Sequence, residues 1–399
     1  MTLKFIHAAD LHLESPFEGL MDDEIPQKLW EQIFNSTFLA FSNLVQDAIN
    51  QQVDFILLAG DLFDRDNQTP KTYNFFYEEL DKLNAADIKV FMIFGNHDYL
   101  NISASDLKLP NNVYVFGNQV ETKTFNLNDK KIAITGFSYE NRWINDKMID
   151  NYPVKSNVDF QIGMLHGSEA NTGDNYAPFT ISDLLDKKYD YWALGHIHKM
   201  QQLNANPPIY YSGNIQGRHK NESGSKGYLL INDVNGNLDV SFHETSVIIW
   251  DNLTMNINEN NTNQIINDLM SQIYKNQYSK IHLLEITFNI KQNLLNINHD
   301  ELLSKIQNTL REEYDNLNAW VYDIRFSIND NEKISSIDDD IWQKAAESIF
   351  TKDNIMDISK SLSKYDFIQN HLDNDDIQDN LLKQAKINLL GNKGNIDED

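Results

Sequence analysis

Residues 54–64 read Asp-Phe-Ile-Leu-Leu-Ala-Gly-Asp-Leu-Phe-Asp, an apolar run closed by Gly60-Asp61-Leu62-Phe63-Asp64. An apolar, β-rich run that ends at a glycine-containing polar turn reads as a strand. The carboxylates that follow stand where the chain leaves the sheet. The same arrangement recurs through the first part of the chain. Leu3–Ala8 runs into Asp10-Leu11-His12, and Val90–Phe94 into Gly95-Asn96-His97-Asp98. Phe160–Leu165 precedes His166-Gly167, and Tyr191–Leu194 precedes Gly195-His196-Ile197-His198. Between these runs, Pro26–Gln51 and Pro70–Leu83 have the three-and-four apolar spacing of helices, and a further strand pair reads around Val113–Phe116 and Lys131–Phe137. Strands alternating with helices predict an α/β fold. In an open α/β sheet, residues at the carboxyl ends of the strands converge on one edge. Asp-x-His and His-x-His each put two side chains on one face of an extended segment, so both can face one centre.

A solitary histidine near a strand end is more often hydrogen-bonded filler than a ligand, which is the reading for His7, His243, His282 and His371. Gly-Asp and Gly-Asn pairs are ordinary turn chemistry. The set of five, each after a strand, is not explained that way.

The 399 residues, 41% of them hydrophobic, suit about two or three domains. With no cysteine, a metal must be held by His, Asp, Glu or Asn, which fits a reducing, cytoplasmic setting. The opening Met1–Ile6 carries a lysine and runs at once to Asp10, leaving no room for a signal peptide core. No apolar run approaches the roughly 18–20 residues of a membrane span. From Val247 the pattern becomes strand, helix, strand, helix, strand: Val247–Ile257, Asn263–Ile273, Ile281–Phe288, Asp300–Leu310 and Ala319–Ile328. After Asn329, Ile341–Ile349, Ile355–Lys364 and Ile377–Leu390 read as helices in an acidic background, with a disordered end from Gly391. The expected division is therefore 1–245, a small α/β domain over 246–330, and a helical region over 331–399. Net charge is −26, made of −14 up to Glu244 (19 Lys and Arg against 33 Asp and Glu) and −12 beyond (14 against 26). Such a chain repels nucleic acid at long range unless metal ions or a basic partner compensate.

The ordered motifs Asp-x-His, Gly-Asp-x-x-Asp, Gly-Asn-His-Asp, His-Gly and Gly-His-x-His resemble the signature of the calcineurin-like metallophosphoesterases. That resemblance implies a layered αββα sandwich, here with a small α/β capping domain and a helical C-terminal tail. It implies one metal held by Asp10, His12, Asp61 and His198, and a second by Asp61, Asn96, His166 and His196, with Asp61 bridging. His97 would face the scissile phosphate without binding metal, oriented by Asp64. A shell of oxygen and imidazole donors without thiolate suits two divalent ions, Mn²⁺ first, with Fe or Zn tolerated. Phe5–Leu13, Leu58–Asp64 and Tyr211–Asn214 are similar to the SbcD-type DNA repair nucleases. Ser212–His219 (Ser-Gly-Asn-Ile-Gln-Gly-Arg-His) with Lys226-Gly227-Tyr228 is similar to the YhaO-like branch. The resemblance is dense over the first 245 residues or so and only architectural beyond them. What it implies is a nuclease hydrolysing DNA phosphodiester bonds, as an exonuclease or also a single-strand endonuclease. It also implies capping-domain presentation of DNA, an SMC-like coiled-coil ATPase docked on the tail, and a homodimer through the nuclease domain.

Arg65 and Arg218, the latter beside His219 and Lys220, are candidates for phosphate contact; the plainer reading is solvated charge or internal ion pairs. Tyr99, Tyr139 and Trp143 can stack on unpaired bases but read first as packing residues. Two alternatives come from different classes. A phosphatase or small-molecule phosphodiesterase would use the same metals and suits the acidic surface, although the machinery after Glu244 exceeds its needs. A metal-free binding scaffold fits poorly, because every implied ligand position holds a competent residue.

Overall fold

The structure is a computed structural model describing residues 3–15, 17, 20, 25–64, 69–99, 109–170, 176–257, 261–290, 298–328, 346, 348, 349, 351 and 354. The expected C-terminal helices and Arg65 lie outside the described residues, apart from those few positions after 345. Contacts divide the chain into two compact units, Met1–Asp251 with Tyr278–Leu284 and Glu313–Trp320, and Asn252–Gln277 with Glu285–Glu312 and Val321–Asp399. Among the described residues no helix is long and apolar enough to cross a membrane.

Two six-stranded sheets form the first unit. One orders β12 (Asn237–Glu244), β11 (Gly227–Val234), β1 (Lys4–Ala8), β2 (Phe55–Ala59), β3 (Lys89–Ile93) and β4 (Val113–Val115). The other orders β5 (Glu121–Leu127), β6 (Lys130–Gly136), β7 (Phe160–His166), β8 (Tyr191–Gly195), β10 (Pro208–Tyr211) and β9 (Gln201–Ala205). β1, β2 and β3 run parallel, as do β6, β7 and β8. The continuous apolar runs are explained by burial on both faces. Phe5, Phe55, Leu57 and Phe91 meet Ile132, Ile134, Ile162 and Tyr191 between the sheets. Their alternates Ile6, Ile56, Leu58, Val90 and Met92 pack with the helices α2 (Ser36–Gln51) and α3 (Pro70–Ala85). The far face of the second sheet buries Leu165, Trp192 and Leu194 with Ile149 of a 3-10 turn (Met148–Asn151) and Leu184 of the short helix α4 (Ile181–Asp186). Helices, sheet, sheet and helix stack as the expected αββα sandwich.

Several local expectations are corrected. The single helix expected over Pro26–Gln51 is interrupted at Asn35, giving α1 (Gln27–Phe34) before α2. Asn35 donates its side-chain Nδ2 to the Glu31 carbonyl at 2.8 Å, a local bond that competes with helix continuation. The strand pair around Val113 and Lys131 does not pair: β4 lies beside β3, whereas β6 joins β5 in an antiparallel hairpin in the other sheet. Beyond the sandwich, a three-stranded sheet orders β13 (Ile248–Asn256), β14 (Ile281–Ile290) and β15 (Ala319–Ile328), with α5 (Thr262–Asn276) and α6 (His299–Leu310) between them in the chain. Each helix buries one apolar stripe, Ile265, Leu269 and Ile273 in α5 and Leu302, Ile306 and Leu310 in α6.

His7 bears out the filler reading. Its Nε2–H donates to the Leu194 carbonyl at 3.1 Å, and Nδ1 accepts from the Tyr191 hydroxyl at 2.9 Å. Burial pushes its pKa down to about 3, against the smaller opposing effect of the Leu194 bond. The unfolded chain therefore takes up this proton before the folded one does. The contribution to stability is complete above pH of about 6.5 and is lost as pH falls toward 3. Relative to a His7→Gln variant, the native protein is expected to lose about 3 kcal/mol more unfolding free energy between pH 7 and pH 4.5, measured by urea denaturation. Parallel pH profiles for the two proteins would refute this.

Candidate metal centre

The five motif segments leave the carboxyl ends of β1, β2, β3, β7 and β8 and meet at one edge spanning both sheets. They do not do so by strand alternation. Asp10 (φ 53°), His12 (φ 43°), Asp61 (φ 51°) and His196 (φ 99°) are left-handed or nearly so, a conformation that costs about 1–3 kcal/mol per residue and clusters at functional sites. It is held by backbone bonds between the first two segments, from the Asp10 and His12 N–H groups to the Gly60 and Asp61 carbonyls, both 3.0 Å. Gly95 is required for a different reason: a β-carbon there would collide with Asp61 Oδ1.

Asp61 stands between two groups of side chains. Its Oδ2 lies 3.7 Å from His12 Nε2 and 3.4 Å from His166 Nε2, while its Oδ1 accepts the His97 backbone N–H at 2.9 Å. On one side, Asp10, His12, Asp61 and His198 each offer an atom within 4.8 Å of the others'. His12 Nε2 and His198 Nε2 are 3.2 Å apart, and His198 Nε2 is 4.0 Å from Asp10 Oδ1. On the other side, Asn96 Oδ1 lies 2.9 Å from His166 Nε2 and 3.1 Å from His196 Nδ1. His166 Nδ1 donates to the Ala59 carbonyl at 3.0 Å, which turns its other nitrogen inward. The structure thus brings together all seven residues expected to hold metal.

Burial dominates the electrostatics here. It pushes His12 well below the usual imidazole range, reinforced by Arg218, and His196 down to about 3, reinforced by His166. It raises Asp10, against the fields of His198 and His166. At Asp61 and His166 burial opposes charge, yet their mutual attraction prevails, holding Asp61 well below the carboxylate range and lifting His166 to about 9. Two carboxylates, an amide oxygen and four imidazoles, with Asp61, His12 and His196 held unprotonated and His166 left to release a proton to a bound ion, form a donor set that fits divalent cations of the Mn, Fe or Zn type.

His97 is placed differently. Its side chain is 38% exposed, whereas His12 and His166 are fully buried. Its Nδ1 is 4.0 Å from Asp64 Oδ1. Burial opposes protonation of His97, but pairing with Asp64 and the field of Asp61 outweigh it and raise the pKa. Pairing with His97 correspondingly lowers Asp64. Arg218 turns inward: its side chain is 11% exposed, Nη1 donates to Ser15 Oγ at 2.9 Å, and Nη2 is 3.4 Å from Glu222 Oε1. Tyr139 is buried with its ring edge-on to that of His166, as a packing residue, whereas Trp143 is 61% exposed.

Sequence reasoning missed two carboxylates. Asp98 is buried and binds both neighbouring loops, accepting from the Leu62 and Gly95 N–H groups at 2.6 Å; burial and then Asp61 push it up to about 7. Glu222 accepts from His198 Nδ1 at 2.6 Å. Burial opposes its charge, but bonds from His198 and His219 and the Arg218 charge hold it well below the carboxylate range. The only signal for Asp98 was its place in the Gly-Asn-His-Asp motif. For Glu222 it was the four-residue spacing from Arg218.

A family model for calcineurin-like phosphoesterases matches residues 3–200. Among curated proteins, the chain is 40% identical over 282 residues to YhaO of Bacillus subtilis, described as an uncharacterized metallophosphoesterase, covering 68% of this chain and 69% of that one. It is 25% identical over 320 residues to the SbcD component of the SbcCD nuclease of Staphylococcus epidermidis, covering 71% and 80%. The DNA double-strand break repair protein Mre11 of Thermoplasma acidophilum is 25% identical over 253 residues, covering 59% of this chain and 63% of Mre11.

Proposed function

The chain belongs to the calcineurin-like metallophosphoesterases, and from that premise we propose that it is a two-metal nuclease hydrolysing DNA phosphodiester bonds in repair. The observation that carries the reading is the position of Asp61, one carboxylate shared between two ligand groups. Asp10, His12, Asp61 and His198 would hold one ion, and Asp61, Asn96, His166 and His196 the other, with Mn²⁺ the first candidate for both. Such a pair activates a water at neutral pH and neutralises the phosphate oxygens of an in-line displacement.

The chain's own residues supply the rest. His97 reaches solvent beside the cluster, and its pairing with Asp64 favours the protonated ring, which suits it to donate a proton to the leaving oxygen. Arg218 adds positive potential beside this pair, and Arg65 is proposed for the same phosphate. DNA as substrate is supported by the relatives named as nuclease and break-repair proteins. Exonucleolytic action, single-strand endonuclease action, a cytoplasmic location, dimerisation through the nuclease domain, and an SMC-like ATPase partner on the C-terminal region belong to the same proposal. So does the division at 245 and 330, with 246–330 as a capping domain. A partner that grips DNA answers the difficulty of a −26 chain meeting a polyanion.

The test is a time course with Mn²⁺ on linear duplex DNA, single-stranded DNA and para-nitrophenyl phosphate esters. Degradation of DNA is expected. Ester hydrolysis with DNA left intact, also after adding a cognate ATPase partner, would replace the nuclease by a phosphatase or small-molecule phosphodiesterase.

A further inference from the structure

Glu222, 5% exposed, lies beyond β10 and takes donors on both carboxylate oxygens. Oε2 accepts from the Arg218 backbone N–H at 2.7 Å and from Asn214 Nδ2 at 2.9 Å. Oε1 faces His198 Nδ1 at 2.6 Å, His219 Nε2 at 3.3 Å and Arg218 Nη2 at 3.4 Å. A carboxylate only accepts, so His198 carries its ring proton on Nδ1. Its Nε2 lone pair then faces His12 and Asp10. From the same carboxylate a second chain of bonds runs through Arg218 Nη1 to Ser15 Oγ at 2.9 Å, and from Ser15 Oγ to Asp64 Oδ2 at 3.1 Å. Asp64 in turn is the partner of His97. One buried side chain therefore touches the ligand cluster at one end and, through Arg218, Ser15 and Asp64, reaches the proton donor at the other.

Resting on the two-metal reading, we propose that Glu222 is a positioning residue: it fixes the Nδ1–H tautomer of His198, leaving Nε2 free for a cation, and ties that histidine to the Asp64–His97 pair. A free imidazole exchanges between tautomers, and the wrong one would aim an N–H at the place where the cation must sit. Carboxylate acceptors behind metal-binding histidines perform this service, and their loss costs about 10–100-fold in metal affinity.

The two sides of Glu222 differ in a way that makes the proposal testable. On the Oε2 side, the Arg218 backbone N–H can only donate, and Asn214 keeps its Nδ2 toward Glu222 because the same NH₂ group donates to the Gln216 carbonyl at 2.9 Å. On the Oε1 side, His198 and His219 can each change a donor nitrogen for an acceptor by moving a proton, and the one fixed donor there, Arg218 Nη2, is the most distant partner at 3.4 Å. In a Glu222→Gln variant the amide oxygen therefore belongs on the Oε2 side, and its NH₂ group faces His198. That forces the His198 proton onto Nε2. The near-isosteric substitution should harm metal binding at least as much as Glu222→Ala, which removes the acceptor at Nδ1 and leaves Arg218 Nη2, 3.3 Å away, as the neighbour of that nitrogen. A merely structural role gives the opposite order.

The experiment is calorimetric titration of the full chain and both variants with Mn²⁺, with ring ¹⁵N shifts of histidine-labelled, metal-free protein beside it. The His198 signals are assigned by their loss in His198→Asn. Expected are two sites in the wild type, about 10–100-fold weaker binding at one of them in E222A, binding at least that weak in E222Q, and His198 protonated at Nδ1 in the wild type, with the Nε2–H form gaining in E222A and dominant in E222Q. Wild-type affinity in E222Q, or an Nδ1–H tautomer retained in both variants, would overturn the proposal. If E222A fails to fold, the shift and affinity of E222Q against wild type still decide it. A wild type that binds no divalent ion would overturn the two-metal reading instead, while the metal-free shifts would still report on Glu222.

Discussion

Replacement of His97 by alanine is expected to reduce turnover by about 10²–10⁴-fold while leaving affinity for divalent ions at the wild-type level. The residue touches the cluster through its backbone, whose N–H bonds Asp61 Oδ1 at 2.9 Å and survives the substitution. Its ring packs edge-on to His12 at a centroid distance of 4.9 Å and faces outward, paired with Asp64. Loss of the ring therefore removes a proton donor without removing a ligand. The competing possibility is explicit in the geometry, because His12, Asp64 and His97 also offer atoms within 4.8 Å of one another and can be read as a third cation position. Steady-state rates on a phosphodiester, taken with a Mn²⁺ titration of the same preparation, separate the two. Unchanged turnover, or a lost ion, would remove His97 from the role of acid.

Asp61→Asn should be the most damaging single change. The amide keeps the shape and one acceptor, and the backbone carbonyl that takes the His12 N–H is untouched, so the fold should persist. What disappears is the charge shared between His12 and His166. Both ions should bind weakly, and activity should fall by more than about 10⁴-fold, to the background of the assay. Asn96→Ala, by contrast, alters the ligand set of one ion only and should leave a tight site for the other. Two tight Mn²⁺ sites in Asp61→Asn would show that the carboxylate is not shared.

β1, β2, β3, β7 and β8 and the residues at their ends were legible in the sequence because burial on both faces leaves an uninterrupted apolar run, and each run stops at a polar motif. β11, buried as deeply but followed by no such motif, and most edge strands were not. β5 and β12 alternate half-buried and exposed positions with polar residues, and β9 is mostly exposed, so their signal is weak. The interruption at Asn35, where ψ opens to 2°, falls inside an otherwise continuous helical pattern, so the apolar spacing does not mark it. At the site, ligand identity could be read from residue type, but the way the ligands converge could not. Asp-x-His looked like alternation along a strand, whereas the backbone turns left-handed at both residues. Glu222 was invisible for a plainer reason: it is 24 residues from His198 in sequence, and only the fold brings them together.

The meeting of both sheets at this edge has a further consequence. Asp10, Asp61 and Asn96 follow strands of one sheet, and His166 and His196 belong to the other. The distance between these two sets of strand ends is therefore gauged by the aromatic layer between the sheets, where Phe5 of β1 meets Tyr191 of β8 edge-on at 5.4 Å. That layer works as a caliper whose jaws are the ligand-bearing strand ends. Trimming it by a methylene or two, far from the site, would reset the gap between the jaws and with it the distances among the side chains they carry.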